Sequence, residues 1–332
     1  MGVISIGFRF TGLFLLMGTA LILLSGCERN DMYTTALQRQ ALYVAVGASG
    51  QVWSSSDLET GSWLDVSSGT LPLNSVAVTQ DAIVVVGGSF PPADSGVILM
   101  SKDGTAWNDV TPVTGAKVMK DIKYAGGSYV AIGDDGGARM ILVSDNGSSW
   151  TGNATPAGIF NTDYNLNGIT CGNGLWVIAG GFSMNGEVLC SSDGVTWNVN
   201  SPSCEYLNEG TFGNDRFVLV GRNGQIIYSD DNGATWTALT SGTMDLSGVA
   251  FGNGLFVAVG ASGAIMRSND GAAWADVSFG SESYSSITYF NNMFVAAGTN
   301  GSIIYSNDGS NWTDASPGGN SLYDVAAGYT AF

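Results

Sequence analysis

Carboxylates are the only side chains of this chain that are numerous enough for acid–base chemistry. Its 332 residues include 28 Asp and Glu, 11 Lys and Arg, four Cys and no His. Without histidine, Ser-His-Asp and Cys-His nucleophilic catalysis and His-containing zinc sites are excluded. The sequence also has no Cys-x-x-Cys pair. Carboxylate chemistry of the kind used in glycoside hydrolysis stays open, because it needs two acids at the right separation.

A sequence unit of about 40 residues is repeated seven times. The strands and turns that it forms must position any residues that carry out chemistry. The cleanest copy, VAFGNGLFVAVGASGAIMRSNDGAAW, runs from Val249 to Trp274 and has three apolar runs separated by short turns. Runs of this length, bounded by Gly, Asn, Asp and Ser, indicate consecutive hairpins, and a fourth short run follows the tryptophan. Four strands per repeat at this period are typical of a β-propeller blade. The tryptophans that mark the units are Trp63, Trp107, Trp150, Trp197, Trp236, Trp274 and Trp312.

The two ends of the repeat array indicate how the ring closes. The first unit begins with a second strand at Leu42, and the run Leu322–Gly328 aligns with the first strands of the other units. The sequence therefore predicts an all-β fold, a single seven-bladed β-propeller with four-stranded blades over residues 41–332. The C-terminal strand joins the N-terminal blade, which leaves no free sheet edge around the ring.

The N-terminal segment is predicted to be a targeting segment and not part of the propeller. Its apolar run from Leu13 to Leu24 is too short for a comfortable membrane span and leads into Leu-Ser-Gly-Cys27. This segment resembles the lipobox of bacterial lipoproteins; the alternative is an ordinary secretory signal with a chance cysteine. The resemblance implies a signal peptide over residues 1–26, then lipidated Cys27 and a polar tether over residues 27–40. The location implied is the bacterial cell envelope, with contact to the membrane through the lipid anchor alone. In enterobacterial lipoproteins an Asp directly after the lipidated cysteine is the signal for retention in the inner membrane. This chain has Glu28 there, which favours the outer membrane over the inner one.

The turns between third and fourth strands share a serine, an acid or amide, a glycine and a tryptophan, as in Ser268-Asn-Asp270-Gly271-x-x-Trp274. They resemble the Asp-box, or BNR, repeats of sialidases and related propellers. We predict a structural role, because such side chains accept hydrogen bonds from the backbone of their own turn. The Asp231-Asn232-Gly233 run looks faintly like part of an EF-hand but lacks its later Glu and flanking helices, so no metal and no cofactor is predicted. The six predicted structural residues are Asp103, Asn146, Asp193, Asp231, Asp270 and Asp308.

A single seven-bladed Asp-box propeller with a lipobox also resembles the photosystem II assembly and stability factor family. That resemblance implies a non-catalytic binding or complex-assembly module. The family's arginine-rich patch has no counterpart in this chain, whose formal net charge is −17. Sialidase activity is not expected, because sialidases use three arginines and only Arg139 and Arg222 fall in the upper loops of the predicted ring. The alternative is a divergent glycoside hydrolase or a glycan-binding protein that uses upper-loop acids. Those acids are Asp134, Asp135, Glu187, Glu205 and Asp245.

The predicted binding face is the upper face, formed by the turns between second and third strands and by the links between blades. Longer loops there carry aromatic and charged side chains that can form a patch around the channel mouth. The alternative is that the aromatic side chains fold back onto their own blades. The predicted partner is an envelope protein or a glycan, and the acidic surface argues against nucleic acid. The candidate residues are Phe90, Asp134, Asp135, Arg139, Phe182, Glu187, Tyr206 and Arg222.

Overall fold

The computed structural model describes residues 39–59, 61–89, 95–112, 118–134, 139–154 and 165–331. This part of the chain forms seven four-stranded antiparallel sheets, and the innermost strands of neighbouring sheets contact one another in turn around the ring. The predicted seven-bladed propeller is confirmed. Among these residues, no helix is long and apolar enough to cross a membrane.

Each blade runs from an innermost strand beside the channel to an outermost strand at the rim. In that order, blade 1 contains β28 (Leu322–Ala331), β1 (Arg39–Gly47), β2 (Val52–Ser55) and β3 (Leu64–Asp65). Blade 2 contains β4 (Leu73–Val78), β5 (Ile83–Ser89), β6 (Ser95–Ser101) and β7 (Asn108–Asp109). Blade 3 contains β8 (Val118–Ala125), β9 (Ser128–Asp134), β10 (Arg139–Ser144) and β11 (Thr151–Ala154). Blade 4 contains β12 (Asn165–Gly172), β13 (Leu175–Phe182), β14 (Asn185–Ser191) and β15 (Asn198–Asn200).

The remaining three blades are built from consecutive strands in the same way. Blade 5 contains β16 (Leu207–Gly213), β17 (Arg216–Gly221), β18 (Gln225–Ser229) and β19 (Thr237–Thr240). Blade 6 contains β20 (Leu246–Gly252), β21 (Leu255–Gly260), β22 (Ile265–Ser268) and β23 (Ala275–Asp276). Blade 7 contains β24 (Tyr284–Phe290), β25 (Met293–Gly298), β26 (Ile303–Ser306) and β27 (Thr313–Asp314).

The ring closes through blade 1, as the sequence predicts. The C-terminal strand β28 pairs antiparallel with β1, from Leu322 opposite Gly47 to Ala331 opposite Arg39. The strand β1 begins at Arg39, two residues before the predicted start of the propeller at residue 41. Because β28 and β1 lie at opposite ends of the sequence, this pairing joins the two ends of the array into one ring.

The apolar core lies between neighbouring sheets, because each second strand is covered on both faces. Between blades 2 and 3, for example, Val84 and Val86 of β5 pack with Met119 and Ile122 of β8. The innermost strands each carry a β-bulge near their start; in blade 2, Asn74 is the extra residue between the Leu73–Gly87 and Ser75–Val86 pairs. The seven bulged residues are Asn74, Lys120, Asn167, Asn208, Ser247, Ser285 and Tyr323.

The turn between the second and third strands divides the blades into two groups. Blades 1, 5, 6 and 7 use a one-turn 3₁₀ helix: η1 (Ala48–Gly50), η2 (Arg222–Gly224), η3 (Ala261–Gly263) and η4 (Thr299–Gly301). Blades 2, 3 and 4 instead extend the strand ladder, to the pairs Ser89–Ser95, Asp134–Arg139 and Phe182–Asn185. These three blades are neighbours, so the upper face rises over one side of the ring.

The three described cysteines, Cys171, Cys190 and Cys204, are free thiols. Each is half-buried, and burial raises the pKa of Cys190 and of Cys204 to about 11. At neutral pH these thiols are protonated, and a protonated thiol is a poor nucleophile.

Candidate functional site

Six of the seven turns between third and fourth strands share one hydrogen-bond pattern on the lower face. In blade 4, Ser191 Oγ accepts a bond of 2.8 Å from Gly194 N, and Asp193 Oδ1 accepts bonds of 2.8 and 2.7 Å from the N–H groups of Val195 and Thr196. These backbone bonds lower the pKa of Asp193 to about 2. The turn carboxylate is thus an acceptor for its own backbone and stays ionised at neutral pH. The corresponding contacts are made by Asp103, Asn146, Asp231, Asp270 and Asp308.

The predicted upper face contains one fully described long hairpin, between β13 and β14. Its two-residue turn, Ser183-Met184, leaves Phe182 41% exposed and Met184 60% exposed. The base of the hairpin is fixed to the next inter-blade link, because Gly186 N donates a bond of 3.0 Å to Cys204 O. Two large apolar side chains therefore lie at the tip of an anchored hairpin.

Two predicted contact residues form an ion pair below this hairpin. The guanidinium of Arg139, in β10, lies 2.6 Å from Glu187 Oε2, in β14, and both side chains are buried. Burial raises the pKa of Glu187, and the charge of Arg139 opposes this rise. The pair joins blades 3 and 4, so these residues support the upper face and are not exposed contacts on it.

Tyr206 and Arg222 form a second supporting contact on blade 5. The Arg222 guanidinium lies 4.2 Å from the centre of the Tyr206 ring, and the Tyr206 hydroxyl donates a bond of 3.1 Å to Asn167 Oδ1 of blade 4. Tyr206 is buried beneath the exposed Arg222 side chain. Of this pair, only Arg222 is available to a ligand.

The remaining predicted residues are either outside the part of the chain that the structure describes or described only in their backbone. Phe90 and Asp135 lie outside the described residues, as does Cys27, and for Asp134 only the backbone position in β9 is described.

Two of the described upper-loop acids, Glu187 and Asp245, are held by contacts with neighbouring residues. Glu187 is held by Arg139, and Asp245 Oδ1 accepts a bond of 2.8 Å from Asn223 N in the neighbouring 3₁₀ turn. Among the residues that the structure describes, no group of three or more His, Cys, Asp or Glu side chains is arranged to hold a metal ion. These contacts therefore favour structural roles for Glu187 and Asp245 over the alternative of carboxylate catalysis.

A buried polar network around the central channel was not identified from the sequence. Its serine and acid members directly follow the bulges of blades 1, 2, 3, 5 and 7 and are Asp324, Ser75, Asp121, Glu209 and Ser286. Asp324 Oδ2, in β28, accepts bonds from Ser75 Oγ at 2.7 Å and from Val76 N at 2.9 Å in blade 2. Its Oδ1 accepts bonds from its neighbour Val325 N at 2.8 Å and from Ser286 Oγ of blade 7. The carboxylate of the closing strand thus binds the blades on both of its sides.

A second aspartate extends the channel network to blade 4. Asp121 Oδ2, in β8, accepts a bond of 2.7 Å from Ile169 N, and Asp121 Oδ1 lies 2.6 Å from Ser75 Oγ. Ser75 therefore contacts two carboxyl groups with a single hydroxyl hydrogen, so one of these contacts requires a protonated carboxyl. Burial raises the pKa of Asp121, and the charge of Lys123 opposes this rise.

Lys123 and Glu209 complete the charged lining of the channel. Lys123 Nζ lies 3.8 Å from Asp121 Oδ1. Burial lowers the pKa of Lys123, but the charges of Asp121, Glu209 and Asp324 outweigh this effect and raise it. Burial and the charge of Asp121 raise the pKa of Glu209 well above its usual range. Lys123 therefore remains a cation that offsets the acids around it.

Comparisons with known proteins identify the fold. No family model matches this chain, and no curated protein matches it. Among solved structures, YCF48 bound to a D1 peptide is similar at 18% identity with a TM-score of 0.59, covering 76% of this chain and 84% of that chain. YCF48 from Cyanidioschyzon merolae is similar at 16% identity with a TM-score of 0.58, covering 76% and 87%. A Bacteroides fragilis protein provisionally described as a 6-phosphogluconolactonase is similar at 11% identity with a TM-score of 0.65, covering 90% and 100%. Similarity at these identities establishes the propeller fold alone.

Proposed function

We propose that this chain is a lipid-anchored protein of the bacterial cell envelope that binds a protein partner through the upper face of blades 2–4, without catalysis. The observation that carries the proposal is the exposure of Phe182 and Met184 at the tip of an anchored hairpin. Large apolar side chains exposed together on a folded surface are typical of interaction sites.

The surroundings of the hairpin support a binding role. Aromatic side chains are favoured as anchors in protein interfaces, and methionine adapts its shape to a partner. The Arg139–Glu187 pair and the Gly186–Cys204 bond fix the hairpin to its neighbours. A rigid site loses less conformational entropy on binding than a loop that must first become ordered.

The comparison with YCF48 supports a protein ligand for this chain. YCF48, a propeller of similar fold, has been solved with a D1 peptide bound. We extend only the general behaviour to this chain, a propeller surface that holds a polypeptide. The lipobox-like segment ending in Cys27 supports the anchor, and Glu28 favours the outer membrane.

Replacing both exposed tip residues is expected to remove partner binding while leaving the ring folded. Full-length tagged protein with Phe182→Ser and Met184→Ser should capture at least about tenfold less of the partner from solubilised envelopes, because interface anchors dominate affinity. Quantitative mass spectrometry of the captured proteins measures the difference. The matched control is Val195→Ser, which removes an apolar side chain that is 49% exposed on the lower face of the same blade. Equal capture by the tip variant and the control, or capture of polysaccharide alone, would contradict the proposal.

Replacing Cys27 is expected to abolish the anchor. In cells fed a labelled fatty acid, Cys27→Ser should carry no label and should move from the membrane fraction to the soluble fraction, because its side chain is the acceptor of the lipid. Cys171→Ser, which changes a half-buried thiol in the propeller, should keep both the label and the membrane location. Label retained on Cys27→Ser would disprove lipidation at this residue.

A further inference from the structure

A cavity of about 460 Å³ opens on the lower face between blades 2 and 3. Its walls include the turn that follows β4, the start of the turn after β6 and the end of β8. This volume falls in the range of about 300–1,000 Å³ that is usual for small-molecule sites. The residues that matter for its chemistry are Gln80, Asp81, Lys102, Tyr124 and Asp145.

The cavity exists because this seam lacks a contact found at three other seams. At those seams an aromatic side chain from one blade covers a glycine at the end of the inner strand of the preceding blade. The pairs are Gly172–Phe212, Gly213–Phe251 and Gly252–Tyr289, and a Cβ on any of these glycines would overlap the ring. The rings are half-buried as a result.

In blade 2 the equivalent position is Thr79 instead of glycine. Thr79 Oγ1 accepts a bond of 3.1 Å from Ala82 N and lies 3.0 Å from the Tyr129 hydroxyl, so its side chain is fixed in the seam. Tyr124, at the aromatic position of blade 3, has its ring centre 4.6 Å from that of Tyr129, with the two rings tilted by 52°, but stays 45% exposed. The threonine therefore leaves an open aromatic face beside the cavity.

Polar groups of several kinds surround this aromatic face. Gln80 has an amide, Asp81 and Asp145 have carboxylates, and Lys102 has an ammonium group; all four residues are exposed. Asp145 Oδ1 accepts a bond of 2.8 Å from Ser128 Oγ, which fixes its orientation. The cavity thus offers both hydrogen-bond donors and hydrogen-bond acceptors beside an exposed ring.

We infer that this cavity is a carbohydrate site that takes a neutral pyranose unit of a glycan, stacked on Tyr124. A pyranose has an apolar C–H face that suits an aromatic ring and a rim of hydroxyls that donate and accept hydrogen bonds. A phosphorylated ligand fits less well, because two carboxylates line the cavity with one lysine. A lipid fits less well, because three charged side chains and two amides line the cavity beside its apolar residues. This site is on the opposite face from the proposed protein site and is independent of it.

Titration with neutral trisaccharides tests the inference. Full-length protein in a detergent without a sugar headgroup is titrated with maltotriose, cellotriose and tri-N-acetylchitotriose, and binding is followed by calorimetry and saturation-transfer NMR. At least one sugar should bind, and its Kd should rise about tenfold or more in Tyr124→Ala, which removes the stacking face. Thr79→Gly should have a similar effect, because Tyr124 can then cover the glycine and close the seam.

The matched control is Tyr323→Ala, which removes a tyrosine of similar exposure, 37%, near the opposite end of the channel. It should bind sugar as the unsubstituted protein does. A thermal melt of each variant confirms that the ring is folded. No binding of any of the three sugars to the unsubstituted protein would overturn the inference, as would unchanged affinity in Tyr124→Ala. Binding of inorganic phosphate in place of the sugars would also overturn the inference, because the cavity would then be an anion site.

Discussion

A chain that ends at Asn320 is expected not to fold cooperatively. This truncation removes all of β28, and with it the inner strand of blade 1 and the pairing with β1 from Gly47 to Arg39. It also removes Leu322 and Val325, whose side chains are almost fully buried in the blade 7–blade 1 core. The loss should exceed about 5 kcal/mol, which equals the whole stability of many domains. Circular dichroism during heating should show no sharp transition.

The control for this truncation is a chain that ends at Ala331, which keeps every described residue of β28. It should melt as the full chain does. A sharp transition for the chain ending at Asn320, at the temperature of the full chain, would show that the other six blades hold the ring closed without the C-terminal strand.

Asp324→Ala is expected to destabilise the ring by about 3–5 kcal/mol, a loss typical of removing one member of a buried charged network. The substitution leaves Val76 N–H and two serine hydroxyls of neighbouring blades without their acceptor. Each unsatisfied buried group costs about 1–3 kcal/mol. Denaturant unfolding followed by tryptophan fluorescence gives the free energy directly.

Glu59→Ala is the matched control for Asp324→Ala, because Glu59 is an exposed acid on the same blade. Its effect should stay within about 0.5 kcal/mol. A loss of less than about 1 kcal/mol in Asp324→Ala would mean that the channel network does not contribute to closing the ring.

The strand order was predictable because the repeat marks its own boundaries. Each second-strand run in the sequence leads to a glycine, and a Cβ on Gly260, for example, would overlap the carbonyl oxygen of Asp245. The runs Arg216-Phe-Val-Leu-Val-Gly221 and Leu255-Phe-Val-Ala-Val-Gly260 of the sequence coincide with the strands β17 and β21. In blade 4 the strand continues past its glycine to Phe182, because the two-residue turn lets the ladder extend.

The channel network was not predictable from the same pattern. Its members occupy one repeat position, but that position holds Ser75, Asp121, Gly168, Glu209 and Asp324 in different blades. The residue type changes among glycine, serine and acid from blade to blade, so the repeat pattern does not mark this position. Aligning the seven inner strands at their bulges would have revealed two aspartates and a glutamate within otherwise apolar runs.

Contacts between side chains of neighbouring blades could not be predicted from the sequence either. Arg139 and Glu187 were both predicted as upper-face residues, but their separation in the chain says nothing about a 2.6 Å ion pair. The pairing depends on how blades 3 and 4 are set side by side, which the ring geometry determines. For the same reason Tyr206, predicted as an exposed contact, lies beneath Arg222.

Photo-crosslinking in living cells tests the central claim, that the upper face of blades 2–4 holds a protein partner. A photoreactive amino acid is placed at Met184, on the tip of the β13–β14 hairpin, or at Val195, on the lower face of the same blade; both side chains are well exposed. We expect a discrete protein adduct from position 184 and none from position 195. Adducts from position 195 alone, or from neither position, would contradict the claim.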